Sequence, residues 1–311
     1  MAHEILLDSG TNEVEILEFS IGSQSFGINV AKVMQLIPYD ADKFTAVPDD
    51  EKSIMGVFLW HDHTIPLIDL NCAMHRKPIE QSGRPLVLVT RFNEVVNGFF
   101  ISAVNRIRRV NWDDIDPSCT LIEKHTSLVT GSIHVEDRDI LMIDFEFIIA
   151  ELFPETKMAH SLEESLIKKE LSREEAKIIF AEDSVFIRKN VVKLLSQVGY
   201  NNVSVFENGL DAFAHINTLA NKAQEEGCDI SKYINLVVTD IEMPKMDGLT
   251  LCRRIKKELG LSQVPVAVFS SLIDEQMTEK CKEVGADMYT TKPKIDELIN
   301  LLDNAVHIQA G

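Results

Sequence analysis

Residues 236–249, which read LVVTDIEMPKMDGL, constrain the fold of this chain more than any other stretch. The stretch begins with a short apolar run, 236–238, and such a run before turn residues is typical of a buried strand. Asp240 stands where this strand ends, and Pro244 and Gly248 then provide turn chemistry. A carboxylate at the junction of a buried strand and a loop lies at the edge where open α/β sheets bind ligands.

The second half of the chain alternates between short apolar runs and amphipathic stretches. Strands are predicted at 178–181, 203–206, 236–239, 264–269 and 288–291, and helices are predicted to begin near Ser184, Asn208, Asp247, Asp274 and Ile295. Successive strand–helix units of this kind predict a parallel sheet joined by right-handed crossovers.

Polar side chains follow four of these five predicted strands. The first strand is followed by Glu182 and Asp183, the third by Asp240, and the fourth and fifth by Ser270 and Lys292. Because the carboxyl ends of parallel strands share one edge, we expect these side chains to converge. Crowded carboxylates repel each other and favour a nearby cation, and hard oxygen ligands suit Mg²⁺. A carboxylate nucleophile, a metal, a lysine and a hydroxyl are together the components of phosphoryl transfer.

Each of these residues also has an ordinary structural interpretation. An Asp at the end of a strand is commonly a helix cap or a turn former. Lys292-Pro293 on its own is typical of a surface turn. The order of the residues along successive strand ends is what favours a site over these interpretations.

Residues 178–307 resemble a response-regulator receiver domain through these motifs. The resemblance implies a flavodoxin-like (βα)5 fold with the parallel sheet order 2-1-3-4-5, and it makes Asp240 the phosphoacceptor. It assigns Mg²⁺ to Asp183, to Asp240 and to the backbone carbonyl of Glu242. Glu182, which stands where the family often has Asp, is expected to assist through a water molecule.

The same resemblance gives roles to three residues on the last two strands. Ser270 corresponds to the switch hydroxyl, and Tyr289 corresponds to the aromatic switch residue. Lys292 corresponds to the lysine that binds the phosphate. The three are therefore expected to respond together when Asp240 is phosphorylated.

The first half of the chain is predicted to be mostly β-structure. Turn residues separate strands predicted at 14–19, 26–28, 54–60, 65–70, 86–89, 95–104, 133–135 and 140–145. Many short strands at regular spacing favour a barrel or a sandwich. Two helices are also predicted, at 31–36 and 146–152.

Three stretches of this half resemble the CheW-type coupling domain, namely EILEFSIGSQSFGINVAKVMQLI, GVFLWHDHTIPLIDL and GFFISAVNRIRRVNWDDIDP. The resemblance implies an all-β fold of two small intertwined SH3-like barrels with five strands each. It also implies a bridge between chemoreceptors and a histidine kinase. The family usually has Arg-Gly where this chain has His61-Asp62, and Glu where it has Gln35, so a receptor contact through that Arg–Glu pair is expected to differ.

The sequence His61-Asp62-His63 has two interpretations. On a strand, His61 and His63 share one face and could bind a metal. No third ligand stands nearby in the sequence, so a hairpin turn with exposed imidazoles is favoured.

Between the halves, the chain is dense in charge and poor in large apolar residues, ending in SLEESLIKKELSREEA. This composition predicts a solvated, partly helical linker. The predicted organisation is a coupling domain at 12–153, a linker at 154–176 and a receiver domain at 177–308.

The composition disfavours several classes of partner and location. A net charge of −18 disfavours direct binding to nucleic acid or to an anionic membrane surface. No apolar run is long enough for a membrane span, and no secretory signal is visible at the start of the sequence. Five widely spaced cysteines without a C-x-x-C pair are typical of reduced thiols in the cytoplasm.

A coupling domain followed by a receiver resembles the CheV-type chemotaxis proteins over almost the entire chain. The resemblance implies a phosphorylation-regulated adaptor, not an enzyme, at the cytoplasmic side of membrane-bound receptor arrays. Its expected partners are a CheA-type histidine kinase and methyl-accepting chemoreceptors. One alternative is a phosphate sink for the kinase, which has the same site chemistry. The other is an aspartate-nucleophile phosphohydrolase, which usually has an Asp-x-Asp pair where this chain has Glu242 as the second residue.

Overall fold

The computed structural model describes residues 12–47, 53–74, 84–92, 95–117, 128–153, 171–292 and 294–310. The chain divides into two compact units, with most described residues up to 153 in the first unit and those from 171 onward in the second. Among the described residues, no helix combines the length and the apolar character needed to cross a bilayer.

The first unit contains two sheets that are intertwined along the chain. One sheet has the order β8-β1-β2-β11-β10-β9, and the other has the order β3-β6-β7-β5-β4. The strands of the first sheet are β1 (Glu13–Ile21), β2 (Gln24–Asn29), β8 (Ala103–Asn111), β9 (Ile115–Asp116), β10 (Val129–Val135) and β11 (Arg138–Ile143). Those of the second are β3 (Val33–Pro38), β4 (Ile54–Trp60), β5 (His63–Asp69), β6 (Leu86–Phe92) and β7 (Val95–Ile101).

The all-β architecture expected for this half is confirmed, with one difference in strand number. The second sheet has five strands, as the resemblance implied, whereas the first has six. The additional strand is the two-residue β9, which pairs with β10 at the edge of the sheet. The chain contributes β1 and β2 to the first sheet, then all of the second sheet, and then β8 to β11 to the first.

The two predicted helices of this half have different outcomes. The helix predicted at 146–152 is present as α2 (Phe145–Leu152), and the Asp144 side chain caps it by accepting from Phe147 N. A short helix, α1 (Leu70–Ala73), also follows β5. The helix predicted at 31–36 is wrong, because a single 3-10 turn, Val30–Lys32, leads directly into β3. Pairing of β3 with β6 overrides the local helical pattern of apolar residues.

The second unit has a five-stranded parallel sheet with the order β13-β12-β14-β15-β16. In chain order the strands are β12 (Lys177–Ala181), β13 (Asn202–Phe206), β14 (Leu236–Thr239), β15 (Val266–Ser270) and β16 (Met288–Thr291). The second, first, third, fourth and fifth strands thus lie side by side, which is the order that the resemblance implies. The third strand, β14, is buried along its whole length, as its apolar sequence predicts.

Helices connect these strands and begin where the sequence predicts. They are α4 (Val185–Gln197), α5 (Gly209–Glu226), α6 (Gly248–Arg253), α7 (Glu275–Val284) and α8 (Ile295–Ala310), and α6 continues as a π-helical turn, Arg254–Glu258. Side chains immediately before four of them accept a hydrogen bond from a backbone N–H in the first turn; these caps are Ser184, Asn208, Asp247 and Asp274. Caps of this type satisfy donors that the helix itself leaves unpaired.

The described end of the predicted linker is buried at Arg173 and Ala176, whereas Glu174 and Glu175 are exposed. Residues 154–170 of that linker lie outside the described residues, but α3 (Leu171–Glu175) is described. The Arg173 side chain of α3 is 5% exposed, and its Nε and Nη2 donate to the two carboxylate oxygens of Asp303 on α8. The solvated character predicted for residues 171–176 is therefore wrong at Arg173, because a distant carboxylate compensates the buried charge.

Candidate functional site

The site lies at the carboxyl edge of the parallel sheet, where β12 and β14 are neighbours. Asp240 N donates to Ala181 O over 2.9 Å, and Glu182 N donates to Phe206 O over 3.0 Å. The first bond places the residues that follow β12 and β14 side by side, and the second joins Glu182 to the end of β13. Carboxylate oxygens of Glu182, Asp183 and Asp240 lie within 4.8 Å of one another. The predicted convergence of the three acidic side chains is therefore present.

Lys292 lies between two of these carboxylates. Its Nζ is 2.8 Å from Glu182 Oε2 and 2.9 Å from Asp240 Oδ2, and its side chain is only 1% exposed. Glu182 and Asp240 are also buried, whereas Asp183 is half-buried. Three carboxylates with one lysine have a formal charge of −2, which a divalent cation would balance. The donor set of close, partly buried carboxylate oxygens fits a hard divalent cation.

Both carboxylate oxygens of Asp240 have donors within the chain. Oδ1 accepts from Ile241 N over 2.6 Å, and Oδ2 accepts from Lys292 Nζ. Hydrogen bonds to the charged form fix the orientation of a carboxylate in a buried site. The side chain of Asp240 is therefore held at the sheet edge rather than free to turn.

The loop after Asp240 folds back tightly onto it. Gly248 N donates to Ile241 O over 2.9 Å, and a Cβ atom on Gly248 would lie 1.8 Å from the carbonyl oxygen of Asp240. Only glycine fits so close an approach. Glu242 is half-buried within this loop. The turn chemistry that the sequence predicts at Gly248 thus serves to close the loop over the backbone of Asp240.

Asp247 belongs to this loop but has a structural function. Its carboxylate accepts from Thr250 N over 2.8 Å and from the Thr250 hydroxyl over 2.6 Å, which caps α6. Burial raises the pKa of Asp247 above its usual value, and the hydrogen bonds from Thr250 oppose this shift only in part. The helix that the sequence predicts to begin near Asp247 is therefore present, with the Asp247 side chain as its cap.

Ser270 and Tyr289 lie on the neighbouring strands β15 and β16. Ser270 pairs with Thr291, and Val268 pairs with Tyr289. Because paired residues of parallel strands point to one face and the period of a strand is two, Ser270 and Tyr289 share a face of the sheet. Ser270 is fully buried, and its hydroxyl accepts from Leu272 N over 3.4 Å, whereas Tyr289 is half-buried.

Arg188 is part of this edge, although no role was predicted for it from the sequence. Its guanidinium is buried and donates to the backbone carbonyls of both residues of the acidic pair, Glu182 and Asp183. A basic residue at the inner face of α4, one turn after its cap, was the available signal. Basic residues on helices usually face solvent, so the signal is weak without the contacts.

In the first unit, the hairpin at His61-Asp62 is confirmed. Both residues have positive φ, 42° and 66°, and Trp60 pairs with His63 across the turn. His61 lies in the turn and not in a strand, so strand geometry does not put its imidazole on the same face as that of His63. Both imidazoles are exposed. Gln35 accepts a hydrogen bond from Trp60 Nε1 over 2.8 Å. A neutral contact thus stands near the place where the family usually has an Arg–Glu pair.

Comparisons with known proteins cover both units. Residues 15–153 match the CheW-like domain family, and residues 178–303 match the response regulator receiver domain family. Over 308 residues the chain is 32% identical to the Chemotaxis protein CheV3 of Helicobacter pylori, with 94% of each chain covered. It is 23% identical over 306 residues to Chemotaxis protein CheV2 of the same organism, again with 94% of each chain covered. Chemotaxis protein CheW of that organism is 26% identical over 140 residues, which are 45% of this chain and 84% of that protein.

Proposed function

The chain belongs to the CheV family of chemotaxis proteins, and on that premise we propose that it is an adaptor whose coupling function is regulated by phosphorylation of Asp240. One observation carries the proposal. Lys292 is buried between Glu182 and Asp240, at the end of a sheet where three carboxylates converge. This arrangement supports a site in which Asp240 would act as the nucleophile, Lys292 as a fixed positive charge and the carboxylates as metal ligands.

The proposed chemistry is phosphoryl transfer from a histidine of the kinase. A carboxylate oxygen of Asp240 attacks phosphorus, the P–N bond breaks, and the electron pair returns to the imidazole, which takes up a proton. Lys292 stabilises the negative charge on the transferring oxygens. Asp183, Asp240 and the backbone carbonyl of Glu242 would hold Mg²⁺, with Glu182 assisting through water. The bound ion supplies positive charge for the same oxygens.

Ser270 and Tyr289 are proposed to transmit the phosphorylated state. The phosphoryl group adds about −1.5 to −2 charges at Asp240 and needs new hydrogen-bond donors. The Ser270 hydroxyl, which is buried on the strand beside β14, is one such donor. Its movement would leave space on the face that it shares with Tyr289, and rotation of Tyr289 into that space would alter the surface beside α8.

The first unit is the part of the chain that is proposed to bind partner proteins. Its CheW-like domain is proposed to bind methyl-accepting chemoreceptors and a CheA-type histidine kinase, in the cytoplasm at receptor arrays. No nucleic-acid partner, no membrane insertion and no catalytic turnover are proposed.

We also propose the domain boundaries 12–153, 154–176 and 177–308, with α3 attached to the receiver. Limited proteolysis is expected to cut first between 154 and 170, and a first cut elsewhere would contradict these boundaries.

The test of phosphorylation uses acetyl phosphate and the intact mass of the protein. The wild type is expected to gain one phosphoryl group in Mg²⁺ and none in chelator, and Asp240→Asn is expected to gain none in either. Labelling of Asp240→Asn, or labelling that is equal in chelator, would contradict the proposal. Repeated turnover of a generic phosphate ester would favour the phosphohydrolase alternative.

Reconstitution of receptor, kinase and this protein separates the adaptor from the phosphate sink. For the adaptor, phosphorylation changes the receptor-controlled activity of the kinase, and Asp240→Ala removes that change. For the sink, Asp240→Ala alters only the rate at which phosphate leaves the kinase.

A further inference from the structure

Arg188 connects the acidic pair to the end of a second strand. It lies on α4, and the residue is 8% exposed. Its Nη1 donates to the carbonyl oxygens of Glu182 over 2.5 Å and of Asp183 over 3.1 Å. Its Nη2 donates to Glu207 Oε1 over 2.8 Å, just after β13. One side chain thus holds the residues that follow two neighbouring strands.

These contacts fix the backbone from which the carboxylates project. Because the guanidinium is planar, three hydrogen bonds determine both its position and its orientation. Glu182 is therefore held on both sides, since its N–H donates to Phe206 O and its C=O accepts from Arg188. A buried guanidinium without partners is costly, so loss of these contacts would lower the stability of the folded state.

We propose that Arg188 is a positioning residue for the divalent cation, acting through the peptide carbonyls of Glu182 and Asp183. The inference rests on the proposed function, because it assumes that these carboxylates hold the metal. Through these hydrogen bonds, Arg188 contacts neither the carboxylate oxygens that would bind the metal nor the carboxylate of Asp240. Its effect is on the directions in which the ligands point, and partners of this kind strongly influence metal affinity.

Arg188→Lys is the most informative variant because it keeps the positive charge. Lysine lacks the planar fork, so it cannot donate to both carbonyls and to Glu207 in the same geometry. A change in metal affinity then reports the geometry of the acidic pair rather than the loss of a charge. Lys189→Gln is the matched control, since Lys189 is exposed on the same helix.

The measurement is a calorimetric titration of the full chain with Mg²⁺, without any phosphodonor. We expect Arg188→Lys to bind Mg²⁺ about tenfold more weakly than the wild type, and Lys189→Gln to match the wild type. Thermal unfolding in chelator is measured in parallel. A merely structural role would lower the unfolding temperature without changing the Mg²⁺ affinity of the folded protein, and that result would overturn the inference.

A second variant decides the question if Arg188→Lys does not fold. Glu207→Gln removes the charged partner of Nη2 at a side chain that is 66% exposed, and Asp211→Asn removes a carboxylate charge nearby without touching Arg188. If Arg188 positions the acidic pair, Glu207→Gln binds Mg²⁺ more weakly than Asp211→Asn does. Equal Mg²⁺ affinities of the two variants would overturn the inference. A wild type that binds no Mg²⁺ would instead contradict the proposed metal site itself.

Discussion

Lys292 Nζ and Asp240 Oδ2 form a buried ion pair at 2.9 Å, and the same ammonium group lies 2.8 Å from Glu182 Oε2. One lysine thus compensates two buried carboxylates from different strands. The lysine comes from the end of β16, at one side of the sheet, and the carboxylates come from its centre. The resting site is therefore stable only while the positive charge remains between them.

Removal of this charge is expected to destabilise the second unit. Lys292→Ala leaves two buried carboxylates without their cation, and breaking a buried pair in this way costs about 3–5 kcal/mol. Mg²⁺ should restore part of the loss, because a ligand that binds only the folded state stabilises it. Urea unfolding with and without Mg²⁺ measures both effects. Lys294→Ala is the control at an exposed lysine, and equal unfolding free energies for the two variants would contradict the prediction.

The contact between Gly248 and Asp240 predicts a second large loss of stability. In Gly248→Ala, the new Cβ would meet the Asp240 carbonyl oxygen at 1.8 Å, so the loop must move. Losses above about 4 kcal/mol are expected for such disruption of a buried site. Gly227→Ala is the control, because Gly227 has φ of 65° but open space around it, and strain alone costs about 1–3 kcal/mol. Chemical unfolding of both variants is the measurement. A loss of unfolding free energy in Gly248→Ala that is smaller than the loss in Gly227→Ala would show that the loop adapts.

Local patterns account for what could be predicted from the sequence. The strand ends and the caps Ser184, Asn208 and Asp274 depend on residues within a few positions, so the elements around the site were predicted closely. The role of Arg173 was missed because the burial of its charge depends on a distant partner. Arg188 has partners 5, 6 and 19 positions away, and its role was missed because basic residues on helices usually face solvent. Arg173 and Asp303 are 130 positions apart. No periodicity in the sequence reports a contact of that kind.

The Arg173–Asp303 pair predicts how firmly α3 is attached to the rest of the second unit. Asp303→Asn leaves a buried guanidinium without its charged partner, and we expect a loss of about 3 kcal/mol in the free energy of unfolding. The control is Glu258→Gln at the more exposed Arg254–Glu258 pair, where about 0–1 kcal/mol is expected. Urea unfolding of the two variants compares them. Similar losses would mean that burial of the Arg173–Asp303 pair contributes little to the free energy of unfolding.

Tyr200 gives this cluster a dependence on pH. Its hydroxyl donates to Asp303 Oδ1 over 2.7 Å, and burial, together with the hydrogen bond and the charge of Asp303, raises the pKa of Tyr200 above its usual 10. The folded state therefore holds the phenol proton more tightly than the unfolded state. The resulting stabilisation is complete below pH 10 and is lost as the pH rises above that value. Unfolding free energies of the wild type and Tyr200→Phe, measured from pH 8 upward, should converge above about pH 10, and a constant difference would contradict the assignment.

Ser270 is expected to separate phosphorylation from its consequence. Ser270→Ala keeps Asp240, Lys292 and the acidic pair, so acetyl phosphate should still label the protein in Mg²⁺. The variant lacks the buried hydroxyl that would donate to the phosphoryl group. Without movement of that hydroxyl, phosphorylation opens no space for Tyr289 to rotate into. A switch can shift a coupled equilibrium only by the difference in affinity between its two states, and packed cores change between discrete arrangements. The phosphodonor-dependent change in kinase activity of reconstituted arrays should therefore fall to a small fraction of the wild-type change, while Ser271→Ala, the matched control at the next residue, keeps it. An undiminished response in Ser270→Ala would show that another residue carries the signal.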